Sequence, residues 1–138
     1  MKTILKTLIL LIVIGTSFQS CSSDDNDSKN LDQRFSKKWY IGTQYIDIGQ
    51  GVSCENNYYD LKSNGDIEYR NWYGDNNCDA EIYNGEWYTE NDVLYRKFPS
   101  DPGTNNEVLL SDEVVSVSDT ELVLKRSNGD DITYYNYN

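Results

Sequence analysis

The sequence predicts an all-β protein: a small up-and-down antiparallel barrel of about eight strands, set behind an export leader and a short tether. Three observations carry this expectation. From Trp39 onward, short segments rich in Tyr, Trp, Val, Ile and Thr alternate apolar and polar residues with a period of two. Turn-forming residues separate these segments at short intervals, and no long amphipathic helical pattern interrupts them. Ahead of them, Lys2 and Lys6 precede the apolar run Leu8–Ile14, long enough for a secretory signal but well short of the ~20 residues a spanning helix needs.

The leader ends at Phe18-Gln19-Ser20-Cys21. Cleavage after Ser20 by general signal peptidase would place bulky Phe18 three residues before the cut, where that enzyme takes small residues. The tetrapeptide instead resembles the lipobox of bacterial lipoproteins, in which a small residue precedes a cysteine that receives lipid on its thiol and amine. The acidic run Ser22-Ser23-Asp24-Asp25-Asn26-Asp27 resembles the signal that sends some lipoproteins of Gram-negative bacteria to the outer face. The resemblance implies a signal peptide over residues 1–20, lipid (palmitate among its chains) on Cys21, and a surface-exposed location on the outer membrane. One acyl chain binds a bilayer marginally and two or more hold it stably.

The tether, 21–36, is rich in Ser, Asp, Asn and Lys, with Leu31 and Phe35 its only large apolar residues, and is expected to be disordered. The whole chain has a formal charge of −11; loss of Lys2 and Lys6 with the leader takes it to −13. That balance opposes adsorption to an anionic surface, so the lipid must do the holding. It also excludes nucleic acid, whose phosphates require Lys and Arg.

The domain proper is expected over 37–138. Lys38–Asp47, Asn57–Ser63, Asp66–Tyr73, Glu81–Glu90, Asp92–Phe98, Glu107–Ser118, Glu121–Arg126 and Asp131–Tyr137 read as its strands. Ser63-Asn64-Gly65-Asp66 and Ser127-Asn128-Gly129-Asp130 place Asn-Gly between strands, a hairpin signal resting on the tolerance of both residues for positive φ. Glu90-Asn91-Asp92 and Ser118-Asp119-Thr120 are further reversals, and Pro99 to Asn106 is a loop. Sequential short connections favour a meander, and closure into a barrel removes its open edges. Eight strands enclose an interior just wide enough to be filled by side chains or to hold one small ligand.

Trp39-Tyr40-Ile41, a paired cysteine, the Ser-Asn-Gly-Asp hairpin, Gly85-Glu86-Trp87 and the closing pair Val114–Leu124 recur in the order seen in small bacterial lipoproteins. From Ser36 to Asn138 the pattern resembles their lipocalin-like domain. The resemblance implies a ligand-binding barrel.

Cys54 and Cys78 are the cysteines left once Cys21 is set aside, and an even pair in an exported domain reads as a disulfide. The chain contains no histidine, which removes Ser-His and Cys-His nucleophile pairs and the commonest zinc ligand. No glycine-rich phosphate loop or calcium-loop motif is present, so neither cofactor nor metal is expected, although the acidic residues around Asp75 and Asp79 suit calcium by charge. The carboxylates otherwise suit a solvated β surface, and a non-enzymatic role is expected.

Aromatic doublets, among them Trp39-Tyr40, Trp72-Tyr73 and Trp87-Tyr88, put one ring on each face of a strand. With Trp39 and Trp87 inward, Ile41, Tyr45 and Tyr83 follow; these five are the candidate ligand-binding residues, though large rings more often fill a small barrel than line a cavity. The outward rings leave a second reading: a structural module docking an envelope protein or glycan. The lipid anchor is tested by metabolic labelling: the wild-type chain incorporates radioactive palmitate and Cys21→Ser does not. A chain that stays unlabelled, or a serine variant that localises unchanged, contradicts it.

Overall fold

The computed structural model describes residues 30–74, 77–99 and 106–138, and ten strands lie among them. The leader, Cys21, the acidic run after it, Asp75 and positions 100–105 of the expected loop lie outside the described residues. The strands are β1 (Lys38–Ile41), β2 (Tyr45–Gly49), β3 (Val52–Glu55), β4 (Tyr58–Leu61), β5 (Asp66–Trp72), β6 (Ala80–Glu90), β7 (Val93–Pro99), β8 (Glu107–Val117), β9 (Glu121–Lys125) and β10 (Asp131–Tyr135). Eight of them close an antiparallel barrel in the order β1-β10-β9-β8-β7-β6-β5-β4, while β2 and β3 form a separate hairpin.

The expected first strand, Lys38–Asp47, is therefore two. Gly42 turns the chain out of the sheet with φ of 82°. The Asn56 amide then donates to the carbonyls of Ile41 (2.7 Å) and Thr43 (2.9 Å), satisfying backbone that no strand covers. Beyond this break Tyr45 pairs with Glu55 in the accessory hairpin and is 55% exposed. Its expected place inside the barrel is corrected: the inward alternation that starts at Trp39 stops at Ile41.

The hairpin is fixed to the outer wall. Cys54 in β3 and Cys78 in the β5–β6 loop form a disulfide spanning 24 positions, a crosslink worth roughly 3 kcal/mol by chain entropy. Beneath it Tyr40 meets Tyr58 edge-on at 5.5 Å and donates to Glu55 at 2.8 Å, and Arg70 donates to the Cys78 carbonyl at 3.0 Å. These outward rings are consumed by packing.

The two Asn-Gly turns are alike, but not as the dipeptide suggests. Gly65 (φ 91°) and Gly129 (φ 89°) adopt positive φ; Asn64 and Asn128 do not. Each asparagine side chain instead accepts from the backbone N–H of the following aspartate at 3.1 Å and donates to its carboxylate at 2.7 Å. Between barrel strands, positive φ at two consecutive residues occurs at Asn91 and Asp92, in the two-residue turn between the paired Glu90 and Val93.

One end of the barrel is sealed by chain expected to be tether. Asp32 caps a 3-10 turn at Gln33–Phe35, and Phe35 is 2% exposed in the core. The Asn30 carbonyl accepts from the backbone N–H and hydroxyl of Thr89, both at 2.9 Å. Ordered packing thus begins before residue 37, because Leu31 and Phe35 reach apolar surface that local composition does not reveal. Above the plug lie Trp39, Leu61, Ile67, Trp87, Leu94, Leu122 and Leu124, all buried. Gly85 permits this packing: a Cβ there would stand 2.1 Å from the Lys97 carbonyl oxygen and 2.9 Å from the Phe98 ring, so any side chain would force β6 and β7 apart.

Candidate functional site

The interior has two levels. In the lower one, Trp39, Tyr59, Leu61, Leu94, Leu122 and Leu124 pack until no room for a water remains. The upper one opens into a cavity of about 400 Å³, bounded by Tyr59, Arg96, Leu110, Asp112, Arg126 and Tyr134 among others. Pairing explains the opening. β8 pairs with β7 over Glu107–Glu113 and meets β9 only from Glu113 onward. Among the described residues, Glu107–Asp112 have no partner on the β9 side, and the cavity runs in through that gap. The exposure of Val108, Leu109 and Leu110 (43%, 54% and 38%) follows from the same parting.

Arg96 lies between the levels. On β7 it alternates with Leu94 and Phe98, so it points into the barrel. Its side chain is 3% exposed and pairs with Asp112, itself 13% exposed, diagonally across the β7–β8 ladder. Its guanidinium carbon also lies 4.7 Å from the centre of the Tyr59 ring. Asp112 accepts from one terminal nitrogen, and the buried Nε–H has no acceptor.

Tyrosines climb the wall beside this pair. Tyr59 stacks on Tyr69 at 4.6 Å, Tyr69 on Tyr83 at 5.9 Å, and Tyr134 meets Tyr59 edge-on at 5.8 Å. The register produces the column, since Tyr59, Tyr69 and Tyr83 are direct partners across β4, β5 and β6. At the rim Tyr83 and Tyr73 both donate to Glu81, which holds its carboxyl below the ordinary range. Burial pushes the Tyr59 phenol up to about 12, an effect only partly opposed by Arg96.

Of the residues anticipated from the sequence, Trp39 and Trp87 do face inward. Both are fully buried in the floor, their indoles donating to the carbonyls of Phe35 and Lys62, each at 2.8 Å. They fill the barrel and do not bound the cavity. Ile41 packs against the core. Tyr83 caps the tyrosine column at the rim, and Tyr45 is outside the barrel. Sequence reasoning missed Arg96 and Asp112, yet a signal existed: each is a charge on the apolar face of a strand, Leu94-x-Arg96-x-Phe98 and Leu110-x-Asp112-x-Val114. Among the described residues no group of three or more Cys, Asp or Glu is placed to hold a metal ion.

Comparison of the sequence with protein-family models and with curated proteins finds no match. Solved structures are similar. A lipocalin-like protein from Bacteroides uniformis ATCC 8492 superposes with a TM-score of 0.53 at 11% identity, over 75% of this chain and 99% of that one. An uncharacterized protein from Bacteroides eggerthii DSM 20697 gives 0.51 at 13% identity, over 73% of this chain and 98% of that one. The fold is lipocalin-like.

The neutral phenol of Tyr59 makes stability pH-dependent. Its folded pKa lies above the unfolded value near 10, so the contribution is complete below pH 10 and is lost as pH rises towards 12. Urea unfolding across that window should show Tyr59→Phe losing stability less steeply than wild type, by up to one proton or about 1.4 kcal/mol per pH unit. An unchanged slope contradicts the assignment.

Proposed function

We propose that the protein is a lipid-anchored cell-envelope lipoprotein whose barrel binds a small apolar or amphipathic ligand in the upper cavity. The observation that carries this reading is the division of the interior into a packed floor and an open chamber. A volume of about 400 Å³ falls within the range of small-molecule sites, and the chamber combines aromatic walls with a few buried polar groups.

The chain's direction gives this reading a geometry. Asn30 is held at the sealed end, nine Cα-to-Cα steps along the chain from Cys21. At no more than ~3.6 Å per residue the tether spans ~32 Å. A lipid on Cys21 would then be attached on the side of the sealed end, opposite the chamber. Ligand would arrive from the surroundings of the anchored protein.

A docking module is the second reading, and the outward rings give it less support. Tyr40 and Tyr58 are buried under the accessory hairpin, and Tyr88 and Tyr95 stack on each other at 4.8 Å, 9° from parallel. Leu110→Trp tests the preferred reading by filling the chamber from its partly exposed side. Native mass spectrometry of the purified protein should show a carried compound, and titration with N-phenyl-1-naphthylamine should show saturable binding that Leu110→Trp weakens at least tenfold. An empty barrel that takes up no probe, or binding indifferent to the tryptophan, contradicts it.

A further inference from the structure

We infer that the ligand is a singly charged organic anion with an aromatic or otherwise flat apolar body, its acidic head directed at Arg96 and Arg126. This rests on the reading of the chamber as a ligand site and adds the chemistry of what enters. The first ground is charge. The chain is strongly acidic, with 23 Asp and Glu against 12 Lys and Arg. The cavity lining reverses that balance: Arg96 and Arg126 face one carboxylate, Asp112, leaving a single uncompensated positive charge.

The second ground is an unspent donor. Arg96 is buried, held by Asp112 on one terminal nitrogen and covered by the Tyr59 ring, and its Nε–H has no acceptor. A buried donor without a partner leaves its desolvation uncompensated, and because Arg96 borders the cavity an oxygen from a ligand there recovers it once the guanidinium turns towards the chamber. Guanidinium suits that role because its planar donors match the spacing of carboxylate or sulfonate oxygens.

Arg126 stands where such a head would pass. It is exposed at the end of β9, and its side chain makes no ion pair among the described residues. An exposed cation at the portal draws anions in by long-range attraction, against the repulsion of the rest of the surface. The apolar body then meets Leu109, Leu110, Tyr59 and Tyr134. These side chains reward flat apolar area and do not discriminate among heads.

Two probes separate the two levels of the claim. 8-Anilino-1-naphthalenesulfonate and N-phenyl-1-naphthylamine share one ring system and differ by the sulfonate. Only the binding component that Leu110→Trp removes is scored. In low salt the sulfonate should bind at least tenfold more tightly than the uncharged amine, and that preference should shrink at least threefold in Arg126→Gln or in 0.5 M sodium chloride. Equal or tighter binding of the amine overturns the inference while leaving the chamber as a ligand site. A preference unchanged by both Arg126→Gln and salt overturns it too. If neither probe binds, the inference and the proposed function fall together.

Discussion

An ion pair inside an apolar barrel decides how the interior is divided. Arg96 and Asp112 sit on adjacent strands with their side chains turned inward, the arginine almost wholly removed from water and the aspartate largely so. Desolvating two such groups costs several kcal/mol each, offset only by close mutual contact and further partners. The Tyr59 face supplies one such partner. Below the pair the barrel is filled mainly by apolar side chains and packs solid; above it, polar atoms and a gap in the wall keep the space open.

The floor makes that arrangement possible. Phe35 enters from outside the barrel's own strands and tilts against Trp87 with ring centres 6.3 Å apart. Both buried indoles find backbone carbonyls, so two large rings add apolar burial without leaving a donor unpaired. Trp87 also donates its backbone N–H to Gly65 at 2.8 Å, tying β6 to the β4–β5 turn. With this end closed, access to the interior is left to the other, where β8 and β9 part.

Much of the fold was legible because a barrel of short strands repeats one rule. Alternation located every barrel strand, and it tied the facing of Trp39 and Trp87 to their neighbours without saying which ring of each doublet turns inward. It failed where one residue changes the chain's direction without altering composition. Gly42 ends β1 while Tyr45-Ile46-Asp47 continues the pattern, so Tyr45 is inward by periodicity and outside the barrel by topology. Val52–Glu55 escaped notice because Val52 and Cys54 alone give it apolar character. Phe35 was assigned to a disordered tether because its partners are distant in sequence. The site was hidden for a different reason: Arg96 and Asp112 are ordinary charges in an acidic chain until strand pairing turns them towards each other.

The most direct test of this account locates a ligand between the two levels. The indole N–H groups of Trp39 and Trp87 report on the floor, and the backbone amides of Leu110, Asp112 and Tyr134 report on the chamber. Titrating nitrogen-15-labelled protein with an arylnaphthylamine probe should move the three amide signals and leave the two indole signals in place. Shifts confined to the indoles, with the amides still, would mean that the barrel opens at its floor, and the division argued from the buried ion pair would be wrong.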